Sequence, residues 1–174
     1  MDQVTEMHPN ALLRLAYVGY RDHGDVPHFE VMPFVEPDRE PAKTLKARLK
    51  RVKAFGGGDG PEDVVGGLLH TAQLDWRSGT RLVIHFGDYP QHGRIYTDLP
   101  DDYPDGNPQG LTCEKFLSQL AAQRVDYHFA RITDRTDRMV AIWQREVYDN
   151  AMAAQFEVHD VRVTARRGWQ GGVQ

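Results

Sequence analysis

Residues 55–88 fix the fold class of this chain more firmly than any other stretch. They contain a glycine-rich acidic loop, then an apolar helix pattern, then a short apolar run that ends at Asp88. Pro61 suits the first position of a helix, where its missing N–H costs nothing, and Asp59 is the predicted N-cap. After Pro61, apolar residues recur at i, i+1, i+4, i+5 and i+8, which predicts a helix with one buried face. The run 81–87 predicts a strand covered on both faces, with a carboxylate just beyond its carboxyl end.

The other elements extend this unit into an α/β pattern. Pro33 places the second predicted strand at a sheet edge, antiparallel to the first because the turn between them is short. The order β-β-α-α-β-loop-α-β-α predicts an α/β fold with a three-layer, Rossmann-like, mostly parallel sheet, helices on both faces and an antiparallel edge strand. The predicted strands are 12–20, 29–35, 81–87, 125–132 and 156–161; the predicted helices are 41–54, 61–76, one capped by Thr112, and 134–150.

Length and composition indicate one globular domain. The 174 residues are 40% hydrophobic and 26% charged, which is ordinary for a folded domain with a proper core. We expect a flexible segment at 1–10, the domain at 11–162 and a disordered tail at 163–174. The net charge of −4 argues against nucleic acid as a partner. No apolar run is long enough to span a membrane, so a cytoplasmic location is predicted, and the single Cys113 excludes a disulfide within the chain.

Acidic residues follow several of the predicted strands and helix starts. In parallel sheets, ligands bind outside the carboxyl ends of the strands, so these side chains are expected to share one edge. Three carboxylates between residues 59 and 63, with no Lys after them, favour a cation over a phosphate. The alternative, that these acids only cap a solvated helix, stays open. The residues expected at the edge are Asp22, Asp25, Asp59, Asp88 and Asp134.

Other candidate chemistry is weaker. His23, His85, His92 and His128 contain no pair at the i, i+4 helical spacing of a zinc protease, which favours structural histidines with satisfied hydrogen bonds. Cys113 has no recognisable nucleophile context. The basic helix pattern at 41–54 is typical of a solvated face, whereas the long irregular stretch 89–111 is more typical of a functional loop.

Several motifs carry a resemblance to a known family. Residues 56–64, 74–77 and 84–93 together resemble the von Willebrand factor type A (VWFA) domain of the kind linked to alpha-type protein kinases. Residues 20–23 and 101–106 fit the same pattern, and the resemblance covers about residues 12–148. Each piece alone is unspecific, and the combination is what identifies the family.

The resemblance implies a metal site. Members of the family hold a divalent cation, usually Mg²⁺, in a metal-ion-dependent adhesion site built from three loops. Asp59 matches the position at which most members have a Thr in the second loop, and Asp88 matches the Asp of the third. The Asp-x-Ser/Thr-x-Ser motif of the first loop and the strand before it are missing from the sequence. We therefore expect an N-terminally incomplete domain, with a partial metal site and with neighbouring strands that lack their shared partner.

These features lead to three hypotheses. The first is a non-enzymatic module that binds a partner protein, in which a cation bridges the acidic loops to a carboxylate of the partner. Such a module can be tethered to a kinase domain in a longer product, although these residues contain no catalytic kinase segment. The second is a metal-dependent hydrolase or phosphotransferase that uses Asp88 as nucleophile or ligand, which would also need a Lys or Arg to hold phosphate. The third is a degenerate fragment with no binding role.

Overall fold

The computed structural model describes residues 11–150 and 154–161. This part of the chain contains five strands and four α-helices, with short 3₁₀ turns at Pro37–Arg39, Asp134–Thr136 and Tyr148–Asn150. The strands are β1 (Leu15–Tyr20), β2 (Phe29–Val35), β3 (Leu82–Gly87), β4 (Asp126–Arg131) and β5 (Phe156–Asp160), and the helices are α1 (Pro41–Leu49), α2 (Val64–Ala72), α3 (Cys113–Ala122) and α4 (Asp137–Glu146).

The α/β class and the parallel sheet are confirmed. β3, β4 and β5 form a parallel sheet in that order, with Ile84 opposite His128 and His128 opposite Glu157. β1 and β2 are antiparallel, as predicted, but they form a sheet of their own and not an edge of the parallel sheet. Among the described residues no backbone pairing joins the two sheets.

A single core lies on one face of the parallel sheet. Tyr127 and Phe129 of β4 are buried against α2, α3 and α4, and Trp143 of α4 has no exposed surface. Thr112 caps α3 as predicted, because its hydroxyl accepts a hydrogen bond from the backbone N–H of Lys115 at 3.4 Å. The helices that follow the loops are therefore fixed by packing on this face.

The opposite face of β3 is not covered. Leu82, Ile84 and Phe86 are 47%, 58% and 61% exposed, so the prediction of a strand covered on both faces is wrong. In the described residues the helices that bury the sheet lie on the Tyr127 side, which also differs from the predicted helices on both faces. The physical reason is the two-residue period of a strand: Val83 points to the core and its neighbours point away from it.

Helix α2 begins later than predicted. Asp63 is its N-cap, and its side chain accepts a hydrogen bond from the Gly66 N–H at 3.0 Å, so the prediction of Asp59 as N-cap and Pro61 as first helical residue is wrong. Glu62 instead forms a short parallel bridge with Gln91, and its N–H donates to a carbonyl of the loop after β3. This pairing keeps Glu62 out of the helix, which therefore begins only after Asp63.

Two glycines let α2 pack closely on the β1–β2 hairpin. A Cβ atom at Gly66 would lie 2.4 Å from the Phe29 ring, and one at Gly67 would lie 2.6 Å from the Tyr20 ring. The helix therefore ties the hairpin to the core through side chains and without backbone pairing.

The remaining predictions concern the ends and the long loop. Residues 89–111 contain no helix or regular strand, as predicted. The predicted flexible segment 1–10 and disordered tail 163–174 lie outside the described residues, and the domain limits 11–162 stay a prediction. None of the helices described here has the length and apolarity to cross a lipid bilayer.

Candidate functional site

Three segments meet beside α2: the loop before it, the long loop 88–112 after β3, and the turn between β1 and β2, which is joined through His92. The N–H of Glu62, in the loop before α2, donates to the carbonyl of Pro90, in the loop after β3, at 3.0 Å. The Asp102 N–H of the long loop donates to Asp59 Oδ2 at 2.6 Å. Of the acids predicted at one edge, Asp22 and Asp59 lie close together, and the charges of Asp22, Asp25 and Asp88 act on Glu62. We call these residues the acidic rim; no described contact joins Asp134 to them.

His92 fastens the loops together. Its side chain has no exposed surface, Nε2 lies 2.7 Å from Asp22 Oδ1, and Nδ1 lies 2.7 Å from Asp101 Oδ1. Burial alone would lower the pKa of His92, but its hydrogen bonds to Asp101 and Asp22 outweigh burial and raise the pKa. With both nitrogens engaged, His92 positions the loops, as the sequence predicted.

Asp59 lies close to His92 and Asp22, and its two carboxylate oxygens differ in their contacts. Its Oδ2 is held by the Asp102 N–H, whereas Oδ1 is buried and has no hydrogen-bond partner among the described residues. Ligand atoms of Asp22, Asp59 and His92 lie within 4.8 Å of one another. Burial raises the pKa of Asp59, and the nearby charge of Asp22 adds to that rise. A buried carboxylate oxygen without a donor is an environment that a cation would stabilise.

Glu62 is one of the three carboxylates at 59–63 that favour a cation, but it was not among the acids predicted at the shared edge. Burial and then the charges of Asp22, Asp88 and Asp25 raise its pKa to about 7. The sequence predicted Glu62 in the first turn of a helix, because that helix was expected to begin at Pro61. The sequence did contain a signal for the true helix start. Asp63 is a good N-cap residue directly before the apolar run, and a helix that begins after it leaves Glu62 in the loop.

Asp88 lies at the same rim but on its exposed side. Its backbone carbonyl accepts a hydrogen bond from the Thr133 hydroxyl, and its charge contributes to the raised pKa values of Glu62 and Tyr20. It is not among the groups of described residues in which three ligand atoms lie close together. The charge of Asp22 acts on both Asp59 and Glu62, and that of Asp88 acts on Glu62, but no described contact joins Asp59 to Asp88. Their joint role as metal ligands stays a prediction.

Other sequence candidates have structural roles. His85 is bonded on both nitrogens, to the Tyr20 and Tyr127 hydroxyls at 2.6 Å each, and burial lowers its pKa to about 4. Cys113 is fully buried, which raises its pKa and removes it as a nucleophile. The prediction of satisfied histidines does not hold for His23, whose Nε2 is buried without a hydrogen-bond partner among the described residues.

Comparison with known proteins gives one informative similarity. No family model matches the chain. The chain is 35% identical over 100 residues to alpha-protein kinase vwkA of Dictyostelium discoideum. The matched region covers 56% of this chain and 16% of that protein, so the chain spans about one sixth of the length of this relative. The similarity therefore relates part of this chain to a small portion of a protein named as a kinase.

Proposed function

We propose that this chain is a non-enzymatic VWFA-like interaction module that binds one divalent cation, Mg²⁺, at the acidic rim. Asp59 and Asp88 are the proposed protein ligands, and the charge of Asp88 also acts on Glu62. The observation that carries the proposal is the buried, unpartnered Oδ1 of Asp59, which lies beside other carboxylates instead of beside a hydrogen-bond donor.

The chemistry of the rim suits a hard cation. Mg²⁺ prefers oxygen ligands in near-octahedral geometry and commonly keeps several waters when only one or two carboxylates hold it. A cation here would also offset the repulsion that raises the pKa of Glu62. Because Asp88 lies on the exposed side, a carboxylate of a partner protein can replace a water and complete the coordination shell.

The similarity to a protein named as an alpha-protein kinase supports a module that works next to a kinase domain. The proposal therefore also includes tethering to a kinase domain in a longer protein, binding of a partner protein and a cytoplasmic location. The alternative of a hydrolase or phosphotransferase using Asp88 needs a cationic group for phosphate. Arg21, which adjoins Asp22, is instead held by Glu30 at 3.0 Å and by the Pro27 carbonyl at 2.8 Å. A degenerate fragment would bind neither cation nor partner.

Calorimetric titration with Mg²⁺ tests the proposal on the purified chain. We expect one site in the wild type, weakened by at least about tenfold in Asp59→Asn and in Asp88→Asn, because each substitution removes an anionic ligand. Asp38→Asn, an exposed aspartate in the 3₁₀ turn before α1, is the matched control and should bind as the wild type does. Equal affinity in all four proteins, or no binding at millimolar Mg²⁺, would contradict the proposal.

A further inference from the structure

A second group of possible ligands lies beside the acidic rim and is independent of the magnesium proposal. His23 and His28 flank the turn between β1 and β2, and Asp63 caps α2. One ligand atom from each of the three lies within 4.8 Å of the other two. Asp63 Oδ2 is 3.0 Å from His28 Nε2 and 3.7 Å from His23 Nδ1. The exposed fractions of the side chains are 10% for His23, 28% for His28 and 4% for Asp63.

The surrounding contacts hold Asp63 in position. Asp63 Oδ1 accepts hydrogen bonds from the Gly66 N–H at 3.0 Å and the Asn107 Nδ2 at 3.4 Å, which leaves Oδ2 to face the two imidazole rings. The carboxylate therefore presents one oxygen to the histidines without any rearrangement of the helix start.

The two rings are packed as well. The His23 ring stacks on His92 with centroids 5.4 Å apart and meets the edge of Tyr103 at 4.7 Å. The His28 ring stacks on Phe29 with centroids 3.9 Å apart. These contacts restrict both side chains, so little ordering would be needed on binding a ligand.

The group is not satisfied by hydrogen bonds. Nε2 of His28, the atom that faces Asp63, is buried without a hydrogen-bond partner in the part of the chain that the structure describes. Nε2 of His23 is also buried without a partner, whereas His23 approaches Asp63 through Nδ1. His28 Nε2 is close to Asp63 Oδ2, yet the two atoms do not form a hydrogen bond. A buried polar atom without a partner is costly, and an ion held at His28 Nε2 would satisfy it.

We propose that His23, His28 and Asp63 form a Zn²⁺ site. Zinc binds imidazole nitrogen and carboxylate oxygen at about 2.0–2.2 Å, so neighbouring ligand atoms in a tetrahedral site are about 3.3 Å apart. The separations of 3.0 and 3.7 Å lie on either side of that value. Two nitrogen ligands favour zinc over magnesium, and three protein ligands leave the fourth position to water.

A metal here would join the β1–β2 hairpin to the core. The β1–β2 sheet has no backbone pairing to the parallel sheet among the described residues, and its turn carries both histidines. Zinc would join that turn to Asp63, the N-cap of α2, and α2 is packed in the core. The ion would thus stabilise the hairpin against local opening, as ligands that bind only the folded state do.

The structure supplies a matched control. His128, Glu157 and His159 form a second group of two histidines and one carboxylate, on the open face of the parallel sheet. There His128 Nδ1 is already hydrogen-bonded to His159 Nε2 at 2.8 Å, and His159 is 49% exposed. This exposed triad has the same chemistry without the burial or the unpartnered nitrogens.

The experiment is a calorimetric Zn²⁺ titration of the wild type, His28→Gln, Asp63→Asn and His159→Gln, with hydrogen exchange of residues 21–25 measured in parallel. Asp63→Asn keeps a good N-cap while removing the charged ligand, so it tests the site even if His28→Gln folds poorly. We expect His28→Gln and Asp63→Asn to weaken the zinc site at least about tenfold, and zinc to slow exchange in the turn of the wild type and of His159→Gln only.

Loss of the zinc site in His159→Gln with retention in His28→Gln and Asp63→Asn would overturn the proposal. The absence of any zinc site in the wild type at micromolar metal would overturn it too. Neither result would bear on Mg²⁺ binding, because Asp59 and Asp88 are unchanged in every variant.

Discussion

Glu62→Gln should stabilise the metal-free protein at neutral and alkaline pH. Burial, followed by the charges of Asp22, Asp88 and Asp25, raises the pKa of Glu62 from 4.5 to about 7. If the side chain were fully buried, that difference would correspond to roughly 3 kcal/mol of unfavourable free energy in the ionised form. Glu62 is only half-buried, and solvent screening reduces the expected gain to about 1–2 kcal/mol.

The pH dependence of this gain follows from linkage. Above pH 7 Glu62 is ionised in both the folded and the unfolded chain, so the full cost is present. Between pH 7 and 4.5 the folded chain takes up the proton first, and the stability of the wild type rises as the pH falls. Below pH 4.5 Glu62 is protonated in both states and the cost is absent. The difference in unfolding free energy between variant and wild type should therefore be largest above pH 7 and vanish near pH 4.

Urea denaturation of both proteins from pH 4 to 8.5 measures this difference. A gain of 1–2 kcal/mol corresponds to roughly 3–6 °C in Tm for a chain of this length. Glu40→Gln, which changes an exposed glutamate paired with Lys43, is the control and should show no comparable rise. In saturating Mg²⁺ the gain from Glu62→Gln should disappear, because a bound cation stabilises the carboxylate. A gain that is independent of pH would refute the electrostatic reasoning.

Two further substitutions test the packing around the rim. Gly67→Ala should destabilise the fold by about 1–3 kcal/mol despite the better helix propensity of Ala, since the added Cβ would lie 2.6 Å from the Tyr20 ring. Gly79→Ala, with open space around its Cβ, should be close to neutral in the same thermal unfolding assay, and equal effects would argue against close packing. His85→Leu should lower the free energy of unfolding by about 2–4 kcal/mol in urea denaturation, because it leaves the Tyr20 and Tyr127 hydroxyls without their hydrogen-bond partner. A decrease below about 1 kcal/mol would show that both hydroxyls find other partners.

Local patterns predicted most of the elements. Apolar runs and alternating apolar residues located the strands, and Thr112 followed by an apolar helix face located α3 and its cap. The α2 start was missed because Asp59 and Asp63 are both possible N-caps. Propensity alone could not show that Glu62 pairs with Gln91 from a distant loop, which moves the cap to Asp63.

Burial of the parallel sheet was harder to predict. The run of β3 reads as continuously apolar, and such runs are typical of strands covered on both faces. In the structure Ile84 and Phe86 are instead exposed, because the helices pack on the side of Tyr127. Which face the helices choose is a tertiary property that the strand sequence does not contain.

One part of the predicted acidic edge is present in the structure, while the roles of Asp59 and Asp88 as metal ligands stay a prediction. Asp59 was placed at a shared acidic rim from loop order and the carboxyl-end rule, and the structure brings its loop together with those of Asp22 and His92. The grouping of His23 and His28 with Asp63 was not predicted, because helical spacing rules find only ligands on one element. Here the ligands come from a hairpin turn and a helix cap about 40 residues apart.

The most direct measurement of the central claim is paramagnetic broadening of backbone amide signals by Mn²⁺, which takes the oxygen ligands that Mg²⁺ takes. The account predicts that substoichiometric Mn²⁺ broadens the amide signals of Asp59, Glu62 and Asp88 first, and that excess Mg²⁺ restores them. Broadening confined to other acidic surfaces, or no competition by Mg²⁺, would show that the rim does not hold a divalent cation.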